Sequence, residues 1–139
     1  MIEQLQVVLC PSEPGPSRTE VFEYSEFDLV LEQLRLMDRH CRPLLFLCKS
    51  AGDHSRDVME VMGGNGLYFI EATDDRGFWY TPYDAAGGSH RVEIWTSDQG
   101  HSVEAKYSWR FDDAQAVVDY YFRRGAMLSA YDWKSVKQM

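Results

Sequence analysis

Short apolar runs separated by turn-forming residues constrain this chain most. Leu44 to Cys48, Val58 to Met62, Leu67 to Glu71, Phe78 to Thr81 and Arg91 to Thr96 are each too short for a packed helix, and branched and aromatic residues dominate them. Between them lie Gly63-Gly64-Asn65-Gly66, Asp74 to Gly77, Pro82 to Ser89 and Asp98-Gln99-Gly100. Gly, Pro, Asn and Asp supply the backbone conformations that turns require. Successive strands joined this briefly predict an antiparallel meander. Leu5 to Cys10 adds a strand ahead of a loop carrying Pro11, Pro14, Gly15 and Pro16, and Val103 to Trp109 adds one behind.

Two segments break the pattern. From a cap at Ser25, with Asp28 three residues on, Phe27, Val30, Leu31, Leu34, Met37 and Cys41 recur at helical spacing until Pro43 closes the segment. A second helix begins at Asp112, with Ala114, Val117, Val118, Tyr121 and Phe122 as its apolar stripe. Asp112 and Asp113 suit the positive end of its dipole, Arg123 and Arg124 the negative end, and Gly125 the left-handed residue that ends it. Leu128 to Trp133 is suited to a returning strand. The expected fold is α+β: a mainly antiparallel sheet of about six or seven strands, with two principal helices covering one face, over a single domain spanning 1–139.

Charge narrows the function. Lys and Arg total 14 against 22 Asp and Glu, a formal charge of -8. Phosphate backbones are bound by clustered cations that release counterions, and scattered pairs such as Arg123-Arg124 do not make such a surface, so direct nucleic-acid binding is not expected. An acidic domain is suited to steering onto a basic protein partner. No apolar run approaches the ~20 residues of a membrane span. The N-terminus lacks the basic and apolar regions of a signal peptide, and Cys10, Cys41 and Cys48 read as buried thiols, so the expected location is the cytoplasm.

Catalytic chemistry is not expected. Asp53-His54-Ser55 has the letters of a triad, but chain neighbours seldom point at one another as that relay requires. The glycine run lacks the Lys-Ser/Thr of a phosphate loop and leads into a strand. His40, His54, His90 and His101 show no i, i+4 pairing and there is no Cys-x-x-Cys, so neither metal nor cofactor is implied. Asp74-Asp75 suits a turn and Asp112-Asp113 a helix start.

The stretch Trp109-Arg110-Phe111-Asp112-Asp113-Ala114-Gln115-Ala116-Val117-Val118-Asp119-Tyr120-Tyr121-Phe122-Arg123-Arg124-Gly125, followed by Asp132-Trp133, resembles the C-terminal part of a family of immunity proteins from bacterial polymorphic toxin systems. In that family a strand leads into an alanine-bearing helix that ends in aromatic-aromatic-x-x-Gly, and a Trp follows. The family's proline between the closing Gly and the Trp is absent here. The resemblance implies a domain that binds a cognate toxin, commonly a deaminase acting on nucleic acid, and occludes its active site or substrate surface. It marks a fold family, with Tyr121, Phe122 and Trp133 expected to pin the last helix to the sheet.

Toxins of that kind carry basic clefts, and interface centres favour Trp, Tyr and Arg. Asp74, Asp75, Tyr83, Glu93 and Trp95 are therefore the expected partner surface, Trp95 because it alternates away from Val92 and Ile94. The competing reading is a small-molecule-binding or enzymatic α+β domain, with a pocket among the aromatic strands.

Overall fold

The computed structural model describes residues 2–11 and 15–136. Its main sheet follows the order β10-β6-β5-β4-β3-β1-β2 and is antiparallel throughout. The strands are β1 (Gln4–Leu9), β2 (Arg18–Glu23), β3 (Leu44–Cys48), β4 (Val58–Gly64), β5 (Leu67–Thr73), β6 (Trp79–Tyr83) and β10 (Asp132–Ser135). The two-residue β9 (Ser108–Trp109) pairs with β5 off this path, and β7 (Arg91–Thr96) and β8 (Gln99–Glu104) form a separate ribbon. Helices α1 (Phe27–Leu36) and α2 (Phe111–Arg124) pack against one face of the sheet. The α+β expectation holds, with somewhat more strands than anticipated.

Register explains the helix-covered face. Leu5 lies opposite Leu47, Leu47 opposite Met59 and Met59 opposite Ala72, while Val7, Leu45, Val61 and Ile70 form the neighbouring row. All eight are buried, and Val30 and Leu34 of α1 and Ala114, Val117, Val118 and Tyr121 of α2 close over them. Tyr121 is buried as expected; Phe122 and Trp133 are half-buried against this core, Phe122 at 5.4 Å from the Phe27 ring. No helix among the described residues is long and apolar enough to cross a membrane.

Several boundaries differ from expectation. Arg18 to Glu23 is a strand whose Phe22 reaches the core, because it pairs along the whole of β1. Helix α1 begins one residue after Glu26, which makes no capping bond, and the Ser25 hydroxyl is buried with no partner among the described residues instead of capping. The helix stops at Leu36 because the Asp38 carboxylate gathers the N–H groups of His40, Cys41 and Arg42 at 3.1, 2.8 and 2.7 Å. This local bond competes with helix continuation, so Cys41 leaves the helical face. Cys48 is buried, its thiol pushed up to about 11 by burial and then by the Asp53 charge, whereas Cys10 and Cys41 are half-exposed. The hairpin turn is Asn65-Gly66 alone, both at positive φ, with Gly63 and Gly64 paired in β4. Pro82 and Tyr83 belong to β6. The β7–β8 turn is Ser97-Asp98, and Val103 to Trp109 is divided by a 3-10 turn at Ala105–Tyr107.

The other sheet face has two coverings. The β7–β8 ribbon lays Ile94 against Phe69 and Tyr107, beside Met62, Leu67, Tyr83 and Val103. Gly63 permits this approach: a Cβ there would collide with the Leu67 carbonyl and meet Ile94 Cγ2 at 3.4 Å. Further along, His54 stacks on Phe46 with ring centres 4.5 Å apart. Beside Phe46, Glu60 and Glu71 lie directly opposite each other on β4 and β5, and neither forms an ion pair among the described residues. Burial, and then the Glu71 charge, push the Glu60 carboxyl from 4.5 up to about 7; burial also raises Glu71.

A carboxyl raised in the folded state contributes stability that is fully present below its unfolded value and is lost as pH rises through the folded one. For Glu60 that window runs from 4.5 to about 7. Glu60→Gln should therefore stabilise the chain by roughly 1–3 kcal/mol at pH 8, with the gain vanishing toward pH 4.5. Urea denaturation of both proteins across this range measures the difference.

Candidate partner-binding site

The five residues expected to form one surface lie in separate places. Asp74 and Asp75 form the turn after β5, while Glu93 and Trp95 sit on β7, which packs near the other end of β4 and β5. The seven residues of β5 span about 20 Å between these ends. Tyr83 belongs to the small second core, its ring 5.9 Å from that of Tyr107. Glu93 is exposed opposite Ser102. Trp95 is half-buried opposite Gly100, where a Cβ would come within 3.3 Å of the indole.

Asp74 and Asp75 do find company. Backbone bonds extend the sheet beyond its strand ends: Lys49 N–H donates to the Asp57 carbonyl at 3.1 Å, Asp57 N–H to the Asp74 carbonyl at 3.2 Å, and Asp74 N–H to the Phe78 carbonyl at 3.1 Å. The C-terminus of α2 arrives at the same place. Gly125 ends the helix in the left-handed conformation, as its position suggested, and donates its N–H to the Tyr121 carbonyl at 2.8 Å. The Gly125 carbonyl accepts a bond from Lys49 Nζ at 2.6 Å. The same ammonium lies 3.5 Å from Asp57 Oδ1 and 5.5 Å from the centre of the Tyr121 ring.

These groups line a cavity of about 380 Å³, with Lys49, Asp57, Asp74, Asp75, Tyr121 and Met127 in its wall. Asp57, Asp74 and Asp75 line it with a single lysine, Asp74 also lying 4.0 Å from the Arg76 guanidinium, and the C-terminal end of α2, with Arg123 and Arg124 in its last turn, closes one side. The carboxylates differ in what they are free to do. Asp74 is committed to its turn, accepting the N–H groups of Arg76 at 2.9 Å and Phe78 at 3.0 Å. Desolvation opposes its ionisation, but the bonds from Phe78 and Arg76 and the Arg76 charge outweigh it and hold the carboxyl low. Asp57 is shared with Lys49. Asp75 is exposed and points no bond inward among those the structure shows. At the back, Tyr121 is 2% exposed and its hydroxyl has no partner among the described residues. Burial raises its ionisation, reinforced by the charges of Asp57 and Cys48, so the phenol stays neutral. The arrangement suits reception of a guanidinium or ammonium group from a partner.

Lys49 and Asp57 were not identifiable as site residues from sequence. Each flanks a strand end and neither belongs to a motif; the bonds that join them span segments distant along the chain. Asp53-His54-Ser55 does not assemble a relay. Ser55 Oγ donates to Asp53 Oδ1 at 2.6 Å, while His54 Nε2 is engaged with Gln6 Oε1 at 2.8 Å. Among the described residues, no group of three or more His, Cys, Asp or Glu side chains is placed to hold a metal ion. Comparison with known family models and with curated proteins finds no match for the chain.

Lys49 couples the loop after β3 to the end of α2 through a charge-assisted bond. Lys49→Met should cost about 1–2 kcal/mol of stability, because it leaves the Gly125 carbonyl and Asp57 without their partner. The loss should appear as a lower denaturation midpoint with an unchanged slope.

Proposed function

We propose that this chain is an antidote that binds a cognate bacterial toxin domain, of the class of nucleic-acid-targeting deaminases, and occludes its active site or substrate surface in the cytoplasm. The observation that carries the reading is the anionic cavity built from Asp57, Asp74 and Asp75 at the end of α2, in a chain of net charge -8. The segment Trp109 to Trp133, whose resemblance suggested such a role, supports it from a second direction, since its helix supplies Tyr121 and Gly125 to that cavity.

An enzyme that acts on a nucleic acid must hold a polyanion, so its cleft is lined with Lys and Arg. A negative field on the inhibitor raises the encounter rate with such a cleft toward ~10⁸–10⁹ M⁻¹s⁻¹ at low salt. Once docked, a basic side chain entering the cavity exchanges water for Asp57, Asp75 and the α2 terminus. A strand end and a helix cap hold Asp57 and the α2 terminus in place, which lowers the ordering cost of binding there.

Co-expression with a toxin domain encoded by a neighbouring gene should restore growth of an otherwise poisoned cell and yield a stable complex. Absence of both rescue and complex rejects the proposal. In stopped-flow association with that domain, Asp75→Lys should slow binding about tenfold at low salt, with the difference shrinking as salt rises. Glu93→Lys provides the comparison: a larger effect there would place the contact on the β7–β8 ribbon.

A further inference from the structure

We propose that Cys10 and Cys41 form a thiol pair that closes to an intramolecular disulfide on reaction with a small anionic disulfide such as oxidised glutathione. The two residues are joined by a main-chain bond, Cys10 N–H to the Cys41 carbonyl, at 2.8 Å. A bond of that length leaves the two Cα atoms no more than about 6.7 Å apart, within the span a disulfide bridges. Both residues line the same cleft of about 390 Å³, and both are half-exposed. Cys41 is held rather than loose, because the Asp38 carboxylate fixes the N–H groups on either side of it and its own.

The cleft suggests the oxidant. Arg18 and Arg42 line it together with the two cysteines, in a protein whose net charge is -8. Arg42 donates one N–H to Gln33 Oε1 at 3.1 Å and Arg18 lies 4.0 Å from Glu20, and the donors each guanidinium has left favour a reagent bearing carboxylates. In the first step the thiolate of one cysteine attacks a sulfur of oxidised glutathione, forming a protein–glutathione disulfide and releasing one glutathione thiolate. The second cysteine then attacks the protein sulfur of that mixed disulfide, forming the Cys10–Cys41 bond and releasing the second glutathione. The protein loses two protons and two electrons, and oxidised glutathione becomes two reduced molecules. Cys48 does not compete: it is fully buried on the opposite end of β3.

The bond would tie the end of β1 to the connection between α1 and β3, closing a loop of about 30 residues that contains β2 and α1. The test treats the full chain with oxidised glutathione at pH 8, blocks remaining thiols with N-ethylmaleimide, and maps peptides by mass spectrometry. The expected product has lost two hydrogens, links the Cys10 and Cys41 peptides, and carries Cys48 as a free thiol. Its Tm should rise by about 5–10 °C and return on reduction. Cys10→Ser and Cys41→Ser should each stop at a glutathione adduct on the remaining cysteine. Stable adducts on both cysteines of the unaltered chain, a disulfide involving Cys48, or no reaction at either cysteine would each overturn the proposal, whatever the folding of the variants.

Discussion

The cross-strand rows that run from Leu5 through Leu47 and Met59 to Ala72, and from Val7 through Leu45 and Val61 to Ile70, are what the remainder of the fold depends on. Side-chain direction in a strand alternates strictly, so a slip of one residue in any of β1, β3, β4 or β5 would turn its row away from the helices. Those rows set where α1 and α2 can lie, and α2 in turn decides where its C-terminus emerges. The cavity with Lys49 and Asp57 exists because a helix fixed at one end by Ala114 and Val117 delivers Gly125 to the ends of β3 and β4 at the other.

The opposite face follows a different logic. Its centre pairs Glu60 with Glu71, two carboxyls directly across adjacent strands, neither in an ion pair among the described residues. Like charges so placed destabilise a sheet, and the arrangement is tolerated because burial keeps the Glu60 proton on over much of the acidic range. The apolar residues on either side of Glu60 serve the helix-covered face, so the polar position is not a break in the strand. A carboxylate inside an otherwise apolar run was the sequence sign of this, and it is interpretable only once the neighbouring strand is known to bring a second one.

How far the sequence could be read depended on the range of the interaction involved. Leu44 to Cys48 and Arg91 to Thr96 were identifiable because composition and bounding turns agree, and Gly125 because a helix end has a local chemistry. Arg18 to Glu23 was not, since its alternation of Thr19 and Val21 with Glu20 and Phe22 is diluted by charge and its partner strand lies before a proline-rich loop. The helical period carried on through Met37 to Cys41 while the backbone did not, because a single carboxylate at Asp38 competed successfully for three N–H groups. Of the expected partner surface, Asp74 and Asp75 lie together in the wall of one cavity. Their separation from Glu93 and Trp95 could not be read from the sequence, because it depends on β7 and β8 leaving the sheet to pair only with each other.

That departure gives the molecule two cooperative units of unequal strength. The ribbon shares no ladder with the main sheet; it is held by Ile94, by half-buried neighbours, and by peripheral bonds such as Ser97 N–H to the Arg39 carbonyl. Releasing it exposes little of the main core, so its opening free energy lies below that of the whole domain. Groups carried on it, Glu93 and Trp95 among them, can adapt to a partner but surrender freedom when they do. Asp57 and Asp74 are instead tied by backbone bonds to the ends of the main sheet, so any contact they make begins from a more ordered surface.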